Sequence, residues 1–86
     1  MRHHLYRFTS ASLKQFKKLS HPIQQRIITK LDYFCQTNPF LYAEKLTDHK
    51  LGSFRFRIGD WRVIFDQDSD NLITIRDVGH RRNIYR

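Results

Sequence analysis

The sequence predicts an α+β fold in two layers: an N-terminal αα-hairpin packed on an antiparallel-rich, four-stranded sheet, in the order β-α-α-β-β-β. Two patterns and one bound predict it. Between residues 10 and 37, apolar side chains recur at three- and four-residue steps, the period of a helix with one buried stripe. Between residues 53 and 78, aromatic or aliphatic residues alternate with polar ones, the period of a half-buried strand, and turn-forming residues interrupt them twice. The chain has 86 residues, of which 40% are hydrophobic and 14% aromatic. That suffices for one modest core, and so for one domain over residues 1–86.

His4 to Phe8 reads as a first strand, with Tyr6 and Phe8 alternating against Arg7. Thr9 and Ser10 suit a helix N-cap, and a short helix is expected to reach about Leu19 with Leu13 and Phe16 on its buried side. Ser20-His21-Pro22 stops and restarts the chain, because serine can cap and proline fits a first helical turn. The second helix runs to about Thr37. Its stripe is Ile23, Ile27, Leu31 and Phe34, and Asn38-Pro39 closes it. Residues 40–51 read as a connector with one helical turn, Leu41 and Leu46 turned inward. Strands are expected at 53–58, 61–67 and 72–78, and the last eight residues fit either a turn or an extended tail.

Strand alternation sends Phe54, Phe56 and Ile58 to one face and Arg55 and Arg57 to the other. Gly59-Asp60, with glycine first, suits a two-residue type II′ hairpin. That loop pairs Ile58 with Trp61, Phe56 with Val63 and Phe54 with Phe65, which places Trp61 on the apolar face. It also sets Arg57 opposite Arg62, a destabilising arrangement unless an anion belongs there. A three-residue loop at Asp68-Ser69-Asp70 is expected to pair Val63 with Ile75 and Phe65 with Ile73, which brings Arg76 beside Arg62. The expectation is a concentrated anion site of Arg55, Arg57, Arg62 and Arg76. The bland alternative is a solvated face whose arginines are partnered by Asp66 and Asp77.

The formal net charge is +8, which favours a polyanionic partner by long-range attraction. Residues 1–52 hold nine Lys/Arg against three Asp/Glu, whereas residues 53–86 hold seven arginines against five aspartates. The second half is therefore the less charged, and its cations are all arginine, the residue suited to bidentate phosphate or carboxylate contacts. Lys14, Lys17 and Lys18 read either as a solvated helix face or as sequence-independent contacts to RNA. No apolar run reaches membrane-spanning length and the N-terminus lacks a signal-peptide core, so a cytoplasmic protein with no membrane partner is expected. The lone Cys35 belongs on or near the buried side of the second helix. The five histidines fit no zinc spacing, and no metal or cofactor is expected.

FRFRIGDWRVIF and VGHRRNIYR, with the order of elements around them, resemble the RelE/ParE toxin superfamily, and more closely its RelE branch. The resemblance spans nearly the whole chain. It implies a RelE-like fold and a ribosome-dependent endoribonuclease that cleaves mRNA in the A site as the toxin of a type II toxin–antitoxin system. It also implies an acidic, RelB-like antitoxin, with a toxin–antitoxin heterotetramer as one assembly open to the pair. Arg55, Arg57, Arg62 and Arg81 match family basic positions at the RNA backbone, Tyr85 matches the C-terminal tyrosine, and His80 stands where other members have lysine or histidine. Arg82 and Arg76 extend the RNA-binding set. The other branch implies a DNA gyrase poison that cleaves no RNA, and a catalytically weak, antitoxin-binding regulatory module is a third possibility.

The chemistry needs no metal: the RNA 2′-OH is deprotonated, phosphorane charge is stabilised and the leaving 5′ oxygen is protonated. Arg57, Arg62 and Arg81 are expected at the scissile phosphate, since guanidinium stabilises developing charge but cannot act as a base. His80 is the residue that titrates near neutrality. Tyr85 is the other candidate base, unless it stacks on a nucleobase or simply packs the C-terminal segment onto the sheet. Alanine at Arg57 or Arg62 is expected to abolish cleavage without unfolding the domain.

Overall fold

The computed structural model describes residues 4–47 and 50–84. β1 (Leu5–Phe8) leads into α1 (Ser10–Lys17) and α2 (His21–Thr37), and a 3₁₀ turn (Pro39–Leu41) leads out of them. Four strands follow: β2 (Glu44–Lys45), β3 (Phe54–Ile58), β4 (Trp61–Ser69) and β5 (Leu72–His80). They form one sheet in the order β1-β5-β4-β3-β2, with β1 parallel to β5 and all other pairs antiparallel. The fold is the expected α+β arrangement with five strands instead of four. The addition is β2, two residues too short to show any periodicity.

Helix α1 begins where its cap places it. Thr9 accepts the Ser12 amide at 3.1 Å, which satisfies a donor the first turn leaves open. Ser12 is fully buried and its hydroxyl donates to the Ile75 carbonyl at 2.7 Å. The Val78 amide donates to Gln15 Oε1 at 3.1 Å. β1 accompanies β5 only as far as Ile75, so α1 supplies partners along the β5 edge beyond it. That placement turns positions 12 and 16 toward the sheet. Leu13, expected inside, is exposed, and Phe16 is buried as expected. Leu41 is likewise exposed, while its neighbour Phe40 packs on the core.

The α2 stripe is as the period predicts: Ile27 and Leu31 are fully buried, Phe34 nearly so, and Ile23 packs at the margin. Against it lie Phe56, Val63, Phe65, Ile73 and Ile75. Phe56 stacks on Phe65 at a centroid distance of 4.4 Å and meets Phe34 at 4.7 Å. Cys35 is buried on the same helix.

The β4–β5 hairpin departs from expectation. Ser69 pairs with Leu72, so the turn is Asp70-Asn71, and irregularities between Ile64 and Phe65 and between Gln67 and Ser69 shift the register. Each strand carries one unmatched residue, Arg76 on β5 and Asp68 on β4, as in a β-bulge. Val63 consequently meets Val78 rather than Ile75, and Phe65 meets Ile75 rather than Ile73. Apolar alternation survives both registers, which is why it cannot choose between them.

The sheet face away from the helices is partly covered. Ile64 is fully buried there, under a loop in which Gly52 adopts φ 153°. A Cβ on Gly52 would stand 2.6 Å from Ile64 Cγ2, so only glycine permits both the conformation and the approach. Ile84, in the turn after β5, is buried over Gly79, where an added Cβ would meet its Cδ1 at 3.9 Å. Among the described residues, no helix is long and apolar enough to cross a membrane.

Candidate functional site

Gly59 has φ 60°, and no non-glycine residue among those described has positive φ, which matches the type II′ turn. Arg57 stands opposite Arg62 and Ile58 opposite Trp61, as the loop length requires. The like charges separate by taking different routes. Arg57 has 58% of its side chain exposed and reaches Glu44 Oε1 with Nε at 3.6 Å. Arg62 is only 6% exposed. Its Nη1 donates to the carbonyls of Gly59 and Trp61, each at 2.9 Å. Arg57 is thus the open half of the pair, and Arg62 braces the turn that aligns it.

Glu44, the single glutamate of the chain, joins this face through β2. Its two carboxylate oxygens accept Nε and Nη2 of Arg55, both at 3.3 Å. The Glu44 carboxyl is held below its ordinary range by the Arg55 hydrogen bond and by the charges of Arg55, Arg57 and Arg62, which together outweigh desolvation. Sequence reasoning missed it. Periodicity has no purchase on a two-residue strand, and the sole available cue was that one glutamate stands ten residues ahead of an arginine-rich strand.

The end of β5 completes the site. Trp61 pairs with His80 and Arg62 with Gly79. The Trp61 and His80 rings meet edge to face at 5.3 Å. His80 Nδ1 accepts the Arg82 amide at 3.2 Å, so in the neutral ring the proton sits on Nε2. The Arg81 amide donates to the Asp60 carbonyl at 2.8 Å, and Arg81 Nε lies 3.6 Å from the Asp60 carboxylate. The β3–β4 turn and the C-terminal turn are therefore tied together. Tyr85 lies outside the described residues.

Arg76 does not join the cluster. The shifted register pairs Arg62 with Gly79, and Arg76 bonds Asp66 at 2.6 Å. Asp66 is raised by burial but brought below its ordinary value overall by hydrogen bonds from Ser53 and by Arg76. Beside this pair, Asp68 accepts from Thr74 and, at 2.7 Å, from Arg7, and these two bonds lower its pKa. Two arginines are here matched by two aspartates. The sheet thus sorts its charge, nearly neutral at the Asp70-Asn71 end and strongly cationic at the Gly59-Asp60 end. Lys14, Lys17 and Lys18 are exposed on and just after α1, in the helical layer. They are separated from Arg57 by the thickness of the sheet.

The family model described as the ParE toxin of the type II toxin–antitoxin system parDE matches residues 6–85. The chain belongs to this toxin family. It falls within the RelE/ParE superfamily and is a toxin of a type II toxin–antitoxin system. The toxin's fold is similar to a chain of the toxin–antitoxin complex RelBE2 from Mycobacterium tuberculosis, at 23% identity over 94% of both chains with a TM-score of 0.81. It is also similar to a chain of the archaeal RelE–RelB complex from Pyrococcus horikoshii OT3, at 21% identity over 96% of this chain and 99% of that one, with a TM-score of 0.70. No curated protein matches the sequence.

In the toxin, the described residues bring Arg55, Arg57, Arg62, His80, Arg81 and Arg82 to one end of the sheet with two carboxylates, Glu44 and Asp60, among them. Such a site can bind an anion by guanidinium forks and move a proton at an imidazole. No group of three or more His, Cys, Asp or Glu residues among those described could hold a metal ion.

Proposed function

We propose that this toxin is an endoribonuclease that cleaves mRNA in the ribosomal A site and so inhibits translation. The observation that carries the reading is the exposed Arg57 guanidinium, set by a type II′ turn against Arg62 and across that hairpin from the His80 strand end. Arg57 takes the non-bridging oxygens of the scissile phosphate, where a fork already aligned costs no reorganisation as charge develops. Arg55 and Arg81 flank it, and Arg62 acts by fixing the turn. Tyr85 removes the 2′-OH proton, or His80 does so at Nδ1 after releasing the Arg82 amide, and the 5′ oxygen leaves protonated. Arg82 with Lys14, Lys17 and Lys18 adds salt-sensitive attraction to RNA. The reading includes a cytoplasmic protein held inactive by an acidic, RelB-like antitoxin, with a heterotetramer as the complex.

The test is to map mRNA 5′ ends after induction, in translating extracts with and without ribosomes. New ends that require ribosomes, and that vanish with Arg57→Ala, support the reading. Intact message alongside growth arrest rejects it.

A second reading is a DNA gyrase poison. It is favoured by the internal engagement of Arg62, whose guanidinium is spent on the turn's own carbonyls, and by the ParE description of the matching family. A DNA-damage response on expression, with uncut mRNA, is its signature.

A further inference from the structure

Three guanidinium groups converge on the two-residue Gly59-Asp60 turn, and one of them comes from the helical layer. Arg62 Nη1 bonds the Gly59 carbonyl at 2.9 Å. Arg81 holds Asp60 through its amide and its Nε. The third is Arg26 of α2, whose Nη1 lies 3.6 Å from the point where a Cβ on Gly59 would stand. Asp60 is the single carboxylate the turn itself offers to three cations, and its side chain is 64% exposed and already engaged by Arg81. Arg26 is exposed, and among the described residues no carboxylate stands within ion-pair distance of it. Since α2 packs on the apolar face and Arg57 points from the other, the cationic surface does not end at the sheet edge. It wraps around the turn.

We infer that Arg26 is a further phosphate-binding residue and that a single-stranded RNA backbone crosses the Gly59-Asp60 turn, from Arg57 on one side to Arg26 on the other. The inference rests on the nuclease reading for its ligand. Its geometry is the turn's own: a two-residue loop is the narrowest point at which one strand of RNA can touch both layers. An acidic protein segment is a different ligand class, and the regular spacing of backbone phosphates suits separated guanidinium groups better.

The probe is a fluorescein-labelled, single-stranded RNA of about 12 nucleotides, a length within the reach of small single-strand binding sites. Its riboses are 2′-O-methylated, so that it binds but cannot be cleaved by 2′-OH attack. Fluorescence anisotropy is read over a KCl series for the wild-type chain, Arg26→Ala, Arg26→Lys and Arg57→Ala, with thermal unfolding of each. Removing one phosphate contact lowers the slope of log K against log salt by about 0.7. The expected result for Arg26→Ala is a roughly three- to tenfold loss of affinity with that drop in slope. Arg26→Lys keeps most of both, because a point charge still answers a phosphate. If Arg57→Ala weakens binding while Arg26→Ala changes neither affinity nor slope, the RNA face stops at the turn and the inference falls. A loss of melting temperature at Arg26→Ala with an unchanged salt slope makes Arg26 a strut, which also overturns it. If neither variant weakens binding, the nuclease reading fails together with the inference.

Discussion

Arg57 and Arg62 face each other across one ladder position, and the structure predicts that alanine at the two sites will fail in different ways. Arg57 is mostly exposed and opposes a like charge, so truncating it removes repulsion and little packing. Its stability should stay within about 0.5 kcal/mol of wild type, the usual range for surface substitutions. Arg62 is buried and gives two hydrogen bonds to turn carbonyls. Bonds from a charged donor contribute about 1.5–3 kcal/mol, and both here share one nitrogen, so the loss should be about 2–3 kcal/mol in all. For a domain of this size, each kcal/mol shifts Tm by about 4–8 °C, which predicts a fall of roughly 10–20 °C for Arg62→Ala. Circular dichroism melts and cleavage assays below both midpoints separate the effects. Arg57→Ala should melt like wild type and lose cleavage by at least two orders of magnitude, the usual scale for one electrostatic stabiliser. Arg62→Ala should be unstable first and impaired second. Equal Tm values for Arg62→Ala and wild type would refute the bracing role. Full cleavage by Arg57→Ala would refute its place at the phosphate.

Gly52→Ala should cost about 2–4 kcal/mol, combining a disfavoured backbone conformation with a clash against buried Ile64, and urea unfolding measures it. Glu44→Gln removes the carboxylate shared by Arg55 and Arg57. It should tighten RNA binding a few-fold and steepen its salt dependence; unchanged affinity in anisotropy titrations would contradict that role. The carboxyls of Glu44, Asp66 and Asp68 all sit below their ordinary values. Their contribution to stability is therefore complete above about pH 4 and is lost as acidification carries the pH down through the lowered values. Urea midpoints between about pH 6 and pH 2 should fall, and Asp66→Asn with Asp68→Asn should flatten that limb. Cys35, buried and pushed up to about 11 by burial and then by the charge of Asp32, should label slowly with a thiol reagent at neutral pH and quickly once unfolded.

Much of the site was legible because short loops carry register information. Gly59-Asp60 permits one tight turn, and that turn dictates the Arg57–Arg62 pair. The second hairpin carried no such constraint. Asp68-Ser69-Asp70-Asn71 offers several closures, and a bulge at Arg76 costs no apolar residue its place in the core, so alternation alone sets Arg76 beside Arg62 where the structure pairs it with Asp66. Leu13 misled for a related reason. The α1 sequence allows more than one buried stripe, and the one used is chosen by the unpaired β5 edge, which calls for Ser12 and Gln15.

By itself the sequence determined the order of the two helices and the four longer strands, the apolar faces of α2 and the sheet, the first hairpin's register and the excess of cations, because all of these follow from local period, turn chemistry and composition. Only the tertiary structure decided which cations act together. It buried Arg62, paired Arg76 with Asp66, delivered Glu44 through a two-residue strand and brought Arg26 to the turn from the opposite layer. Those choices depend on contacts between residues far apart in the chain. Charge attraction at a few ångströms leaves no mark on the spacing of residues along it.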